Sequence, residues 1–461
     1  MMEEYEIAII GAGPAGYVTA LRAAQKGFKT VVIEKDRVGG VCLNRGCIPT
    51  KALLESARQI NLLNKASEFG IKINQFSIDM ARIWEREVKI VENLRRGIEY
   101  LFKRRGVILI KGEATLLDKK TISIKEDNGE VERISAENIV IATGSSPSDL
   151  PRLKFDHENI ISSDDILEKK ILPHSLLIIG GGVIGCEFAS LFSSLGTKVT
   201  IVELLKNLLP QEDEEISQQL EINFKKRGVK IFTERRVEKV EPGREGLNVF
   251  LSDGTNLEVE KVLVCVGRKP NTEGLGLEKL GVTIQNGWVV VDDYLKTNLP
   301  GIFAIGDVLG KTLLAHVAMY QGEMVVENIV GKNRKMDYSA IPNCIYTFPE
   351  VASVGIKENQ AKALGIEYSV GRFPFRALGR AYTVGELDGF LKLIVDKKEK
   401  VILGAQAIGP EVTNIIPELV LAIKNRINTE QILNTIHAHP TFSEIIPEAI
   451  FSSFNFPLHT G

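Results

Sequence analysis

The chain has 461 residues, more than one ordinary hydrophobic core accommodates, so two to four domains are expected. Its 44% hydrophobic and 25% charged residues are those of a globular protein in water, and a net charge of −2 gives no electrostatic reason to bind nucleic acid or an anionic membrane. Five cysteines and six histidines argue against a disulfide-stapled secreted scaffold.

The N-terminal "MMEEYEIAII" has no basic stretch and no small-residue cleavage site, so a cytoplasmic location is expected. The chain then shows an internal repeat. Residues 11–34 read "GAGPAGYVTALRAAQKGFKTVVIE" and residues 180–203 read "GGGVIGCEFASLFSSLGTKVTIVE". Each begins G-x-G-x-x-G after a short apolar strand, continues through a helix-length segment stopped by Gly27 or Gly196, and ends in an apolar run closed by glutamate. In such a unit Gly11 and Gly180 make the tight turn. Gly13 and Gly182 let the backbone approach a pyrophosphate, and Gly16 and Gly185 let helix and strand pack closely. The helix N-terminus offers unpaired N–H groups to the phosphates. Glu34 and Glu203 stand where a carboxylate accepts the ribose hydroxyls. One such motif is weak; two with the same spacing and flanks indicate two dinucleotide sites. Residues 175–196 are apolar, but Glu187, serines and glycines interrupt them, so no membrane span is expected.

Between the repeats lies "GGVCLNRGCIPTK" (39–51), with Cys42 and Cys47 in a C-x4-C spacing. That is not C-x-x-C, and no second cysteine pair nearby completes a zinc site. Further on, "ENIVIATGSSP" (137–147), "KVLVCVGRKPN" (261–271) and "TNLPGIFAIGDV" (297–308) each read as a strand running into a turn, the last bearing Asp307. The segment "GFLKLIVDKKEKVILGAQAIG" (389–409) reads as antiparallel strands about a charged turn, followed by helical patterns. Domains are therefore expected at 1–146, 147–269, 270–338 and 339–461. The fold class is α/β: two Rossmann-like dinucleotide-binding domains plus a C-terminal α+β domain. Near the end, His437 and His439 are two apart and Pro440 biases His439 toward an extended backbone. No convincing third ligand joins them, so no metal site is expected; a core histidine or an acid/base group remain the readings.

The order GxGxxG, CxxxxC, ATG, GxGxxG, VGR, AIGD and HxHPT resembles the pyridine nucleotide–disulfide oxidoreductases over essentially the full length. "IPNCIYTFPEVASVG" (341–355), "FPFRALGRA" (373–381) and "IHAHPTFSE" (436–444) are similar to the members that oxidise protein-bound dihydrolipoamide. The resemblance implies FAD at the first repeat, NAD at the second, and a homodimer whose active site draws on both chains, with 339–461 as the dimerisation domain. It implies that Cys42 exchanges with substrate while Cys47 faces the flavin. Lys51, paired with Glu187, lies by the flavin, and His439, held by Glu444, takes the thiol proton. For FAD it further implies Pro14, Ala15, Lys35, Gly40, Val41, Glu113 and Ala114. It adds Thr143, Gly144, Ser145, Gly306, Asp307, Leu314, Ala315 and His316. For NAD it adds Val183, Ile184, Val237, Val266 and Gly267. The expected partner is a lipoylated acyltransferase or glycine-cleavage carrier protein.

Glu203 repels a 2′-phosphate and "ELLKNLLP" (203–210) offers no arginine, which favours NAD over NADP. That disfavours a glutathione-type reductase. The absence of a cysteine pair in "FNFPLHTG" disfavours a mercuric-type one. A non-catalytic redox-sensing flavoprotein is disfavoured by the intact Cys42, Cys47, His439 and Glu444. Thr50, Cys344 and Leu378 depart from the family pattern, and Leu378 bears on substrate contacts. Cys186, Cys265 and Cys344 read as inert thiols.

Overall fold

The computed structural model describes residues 2–244 and 246–460. Strand Glu3–Ile10 is rich in isoleucine, and Ile7, Ala8, Ile9 and Ile10 are essentially without exposure. A strand apolar on both faces belongs inside a parallel sheet. It lies between Thr30–Glu34 and Val131–Ile141, both parallel to it. Helix Pro14–Gln25 makes the crossover, with proline at its first position, where the missing N–H costs nothing. The same chain path recurs in Ser175–Ile179, helix Val183–Ser194 and Lys198–Val202, within a five-stranded parallel sheet.

The first sheet has seven strands. The long strand Val131–Ile141 serves two purposes. Its first half pairs antiparallel with Thr121–Lys125, while Ile139–Ile141 pair in parallel with Ile302–Ala304 from far downstream. Helix Ala315–Ile329 then packs on Pro14–Gln25. A Cβ at Gly322 would come within 2.8 Å of both the Ala15 carbonyl and Thr19 Oγ1, so glycine permits this crossing. One hydrophobic core thus draws on residues from Tyr5 to Ala142 and from Leu275 to Val326. The two nucleotide units are joined by a short antiparallel pair, Ser145–Pro147 with Arg268–Pro270.

A second core lies beneath the second parallel sheet. It includes Leu53, Leu54, Ala57 and Trp84 from the N-terminal helices and Ile345, Val351, Phe390 and Ile408 from the C-terminal sheet. The C-terminal unit is a five-stranded antiparallel sheet covered by helices Val412–Lys424 and Ile445–Ser453. Lys392 is 2% exposed in this sheet and reaches Asp213 at 3.1 Å, Glu215 at 2.7 Å and Glu358 at 2.6 Å. The buried ammonium ties the C-terminal sheet to Asp213 and Glu215 of the second nucleotide unit, with Glu358 of the C-terminal unit as its third carboxylate. Among the described residues no helix is long and apolar enough to cross a membrane.

Candidate active site

Cys42 lies in the short helix Gly40–Arg45, and Cys47 is the first residue of helix Cys47–Asn64. The chain enters through Gly39 and Gly40, both at positive φ. Asn44 locks that entry by donating to the carbonyls of Val38 at 3.0 Å and Gly40 at 2.9 Å. Pro49 falls in the first turn of the longer helix, where an N–H has no intrahelical acceptor. No side chain caps that helix, and Cys47 is its first residue, so the sulfur belongs to the turn that carries the helix's positive end. Both cysteines are thiols here, Cys42 half-buried and Cys47 exposed. The neighbouring Cys42 thiol and the Lys51 charge bring the Cys47 pKa down to about 7. The same proximity of the two sulfurs pushes Cys42 well up.

Lys51 is one turn further along this helix. Its Nζ donates to both carboxylate oxygens of Glu187 at 2.7 Å and lies 4.8 Å from the centre of the Tyr346 ring. Glu187, buried in helix Val183–Ser194, also accepts from the Tyr346 backbone N–H at 3.0 Å. Burial alone would lower the Lys51 pKa; the Glu187 charge and hydrogen bond reverse this and raise it. The contact follows from packing, because Leu53, Leu54 and Ala57 seat the cysteine helix on the helix that carries Glu187.

The two glycine loops are built alike. A Cβ at Gly16 would lie 1.8 Å from the Gly11 carbonyl oxygen, and one at Gly185 would lie 2.0 Å from that of Gly180. Neither loop tolerates a larger residue there. Glu34 accepts from the N–H of Ala12 at 2.7 Å and of Asp36 at 2.8 Å. Glu203 accepts from Gly181 at 2.6 Å and Leu205 at 2.8 Å. Each carboxylate therefore braces its own loop, a role beyond the ribose contact expected from the sequence. Burial pushes the Glu34 pKa up.

Around the first loop, Gly40 approaches Gly13 so closely that a Cβ would meet the Gly13 Cα at 2.7 Å. Val41 is half-buried beside it, and Lys35 pairs with Glu113 at 3.7 Å, next to buried Ala114. Pro14 and Ala15 form the uncapped first turn of their helix. Ser145 donates to Asp307 at 2.7 Å and accepts from Arg268 Nε at 2.7 Å, while Gly306 N–H donates to Gln321 at 2.7 Å. Thr143 donates to the Asn271 carbonyl at 2.7 Å, and Gly144 has open space at its α-carbon. Leu314 and Ala315 begin helix Ala315–Ile329. His316 Nε2 is 3.0 Å from the Pro342 carbonyl, and burial lowers its pKa. At the second loop, a Cβ on Gly182 would meet nothing within 4 Å, and Gly267 is equally open. Val183 and Val266 are exposed, Ile184 is half-buried, and Val237 opens an adjacent antiparallel strand.

At the C-terminus, His439 Nδ1 meets Glu444 Oε1 at 2.8 Å, and Glu444 Oε2 accepts the Thr441 N–H at 2.8 Å. Burial would raise Glu444; its hydrogen bonds and the nearby His439 and His459 charges bring it below the usual carboxylate range. A carboxylate can only accept, so Nδ1 carries the proton and Nε2 is left basic. The side chain of His439 is 76% exposed. His437 faces elsewhere, with Nε2 2.9 Å from Glu418. Among the described residues no hydrogen bond or ion pair links the His439–Glu444 pair to Cys42 or Cys47 within one chain. Leu378 is buried in the C-terminal core, so it offers no surface to a substrate. Burial raises the pKa of Cys186, Cys265 and Cys344, the last to about 11. Arg268, Asn271, Gln321 and Tyr346 are contributors that sequence patterns alone did not single out. Arg268 and Tyr346 lie inside recognisable motifs, whereas only tertiary structure reveals Gln321.

Residues 5–322 match the pyridine nucleotide-disulphide oxidoreductase family, and residues 341–450 match that family's dimerisation domain. The chain belongs to this family. It is 40% identical to the dihydrolipoyl dehydrogenase of Chlamydia pneumoniae, over 100% of this chain and 99% of that one. LpdA from Mycobacterium tuberculosis superposes with a TM-score of 0.91 at 29% identity, covering 97% of this chain and 99% of that chain. The HOCl-induced flavoprotein disulfide reductase RclA from Escherichia coli, in its Cu(II) complex, gives 0.89 at 29% identity, with coverage of 97% and 99%. The cofactors of this family are FAD and NAD, and the residues fit them. Two uncapped helix N-termini follow glycine turns, each braced by a carboxylate, and Gly182 leaves its approach open.

Proposed function

We propose that the chain is an NAD-dependent dihydrolipoyl dehydrogenase that oxidises dihydrolipoyl groups carried by a lipoylated acyltransferase or glycine-cleavage carrier protein. The observation that carries this reading is the Cys42–Cys47 pair at an uncapped helix N-terminus, one turn from the Lys51–Glu187 pair. Residues 1–146 and 270–338 hold FAD, 147–269 hold NAD, and 339–461 pair with a second copy. Glu203 at the second loop suits the 2′-hydroxyl of NAD rather than a 2′-phosphate.

In the oxidised protein Cys42 and Cys47 form a disulfide. His439 of one copy takes a proton on Nε2 from a substrate thiol, and the thiolate attacks Cys42 of the other copy. The Cys42–Cys47 bond breaks, a mixed disulfide forms, and Cys47 leaves as thiolate beside the Lys51 charge. The second substrate thiol attacks the mixed disulfide, closes the dithiolane ring and passes its proton to the released Cys42, while the first proton stays on His439. The substrate has lost two electrons and two protons, and the protein disulfide has gained the electrons. FAD, which the first glycine loop and Glu34 would hold, would supply a two-electron acceptor for the dithiol, and NAD+, which the second glycine loop and Glu203 would hold, would supply the final acceptor of the pair. Glu444 holds the His439 ring and balances its charge while the proton is on it.

Mixing the flavin-loaded protein with dihydrolipoamide and NAD+ is expected to yield NADH. Cys47→Ser is expected to reduce that rate by on the order of a thousandfold or more; full turnover in this variant would sink the reading. Co-expressed Cys42→Ser and His439→Gln chains are expected to regain activity through mixed dimers, and failure to do so would sink the shared site.

A further inference from the structure

The C-terminal unit reaches the redox centre through one side chain. Strand Asn343–Ile345 ends in Ile345, which has no exposure and belongs to the core beneath the second parallel sheet. The chain then runs along helix Val183–Ser194. The Tyr346 N–H donates to Glu187 Oε1 at 3.0 Å, and the Phe348 N–H donates to Ser190 Oγ at 3.3 Å. This seating turns the face of the half-buried Tyr346 ring to Lys51 Nζ, 4.8 Å from its centre. Burial raises the Tyr346 phenol, so the ring stays neutral and presents the negative face of its quadrupole to the ammonium.

Lys51 has a long, flexible side chain, 31% exposed. The Glu187 carboxylate binds its ammonium through both oxygens. A carboxylate is a contact the ammonium keeps while its stem swings toward water; the ring face adds a second fixed contact. Cys47 and Lys51 are four residues apart on one helix, so their side chains share a face, with Cβ atoms about 5–6 Å apart. The ammonium is thus held within range of the sulfur, where its charge favours the thiolate. The charged groups of the surrounding elements are engaged elsewhere. Arg45 pairs with Asp36, Asp164 and Glu168, and Glu55 with Arg58. From helix Met80–Arg105, Arg86 donates to the Ala52 carbonyl at 3.0 Å, and Lys170 is the cation that acts on Glu87. Glu350 accepts from Thr413 at 2.8 Å and Glu212 from Asn343 at 2.7 Å, while Glu68 is exposed and burial keeps Cys344 a neutral thiol. The ionisable groups that act on Cys47 are Cys42, Lys51 and Glu187.

We propose that Tyr346 is a positioning residue for Lys51: its ring face holds the ammonium one turn from the Cys47 sulfur while its backbone N–H holds Glu187. Residues 341–450 match the family's dimerisation domain, so that domain also shapes the electrostatic field at the cysteine pair of its own chain. This rests on the reading of Lys51 as the cation that favours the Cys47 thiolate.

The test is the pH midpoint for alkylation of Cys47 by iodoacetamide in the flavin-loaded protein with both cysteines reduced, read by peptide mass spectrometry. Tyr346→Leu keeps the backbone N–H for Glu187 and an apolar side chain but removes the ring face, so the midpoint is expected to rise by about half a pH unit. Tyr346→Phe keeps the ring and is expected to stay at the wild-type midpoint. In a Lys51→Met background Tyr346→Leu is expected to shift nothing further, because the ring acts through the ammonium. A purely structural role predicts the same shift with and without Lys51. No rise in Tyr346→Leu, an equal rise in Tyr346→Phe, or an equal shift in both backgrounds overturns the proposal. If Tyr346→Leu does not retain flavin, Tyr346→Phe with successively more ring fluorines decides, since fluorine drains the ring face of electron density at nearly constant shape. A midpoint that climbs along that series supports the proposal, and a flat or falling one overturns it. A Lys51→Met midpoint equal to that of the wild type overturns both the reading of Lys51 and the role of Tyr346; a shifted Lys51→Met with an unmoved Tyr346→Leu overturns the latter alone.

Discussion

The two nitrogen–carboxylate pairs of the site differ in nearly everything. Lys51 and Glu187 come from helices 136 positions apart, meet through two bonds of 2.7 Å, and have side chains 31% and 6% exposed. His439 and Glu444 are five positions apart, joined by one bond of 2.8 Å, with exposures of 76% and 25%. The first pair sits where the cysteine helix packs on helix Val183–Ser194, and the Glu187 charge and hydrogen bond raise the Lys51 pKa against the effect of burial. The second is local and solvent-facing, and its nitrogen partner is an imidazole ring rather than an ammonium. Burial and multiple hydrogen bonds suit a fixed field; exposure and a single hydrogen bond suit a proton carrier.

Three substitutions separate those roles. The largest effect is expected from His439→Gln: dihydrolipoamide turnover should fall about a hundred- to ten-thousandfold, the range for loss of a general base. NADH-driven reduction of an artificial dye, which needs no thiol proton transfer, should be largely spared. Loss of both activities in parallel would show that the histidine pair holds the protein together rather than moving a proton. Next comes Glu187→Gln, which leaves Lys51 charged and partly buried without its partner. Removing one member of a buried pair costs about 3 kcal/mol or more, and a lysine one-third open to water argues for the lower figure, read as a shift of the urea midpoint. Glu444→Gln should cost under about 1 kcal/mol in the same measurement, because its partner is exposed. Equal midpoint shifts in the two glutamine variants would erase the contrast.

That contrast also explains what the sequence made legible. The glycine turns could be read because positive φ at Gly11 and Gly180 and the contact at Gly16 and Gly185 are backbone requirements that only glycine meets. His439 and Glu444 were paired by resemblance, though the short turn that joins them makes their contact local. Lys51 and Glu187 could be paired only by resemblance, since nothing local tells a lysine which distant helix its own will pack against. The same holds for Ser145, Asp307 and Arg268, three loops brought together by the Ser145–Pro147 and Arg268–Pro270 strands. It holds again for Ile302–Ala304, which leaves its neighbours in sequence to join the first sheet. Glu34 and Glu203 were expected as ribose ligands, but their grip on the loop N–H groups was not foreseen, because a side chain's second use depends on where the backbone turns back. The buried position of Leu378 was likewise hidden: a leucine before a short helix reads equally well as surface or core.

The smallest expected effect tests whether the buried pair acts on sulfur by charge alone. In the reduced protein, alkylation of Cys47 should follow a titration near 7, whereas Cys344, near 11, should react only at higher pH. The sign follows from the thiolate being the nucleophile: the rate rises with pH as the thiol loses its proton and levels off above the midpoint. Lys51→Met removes a cation that favours the thiolate, so the midpoint should rise by roughly one pH unit. Glu187→Gln removes an opposing anion, so it should fall. Midpoints moving in the same direction would mean that both variants disturb the packing of the Cys47 helix, since a field from two opposite charges must respond with opposite signs.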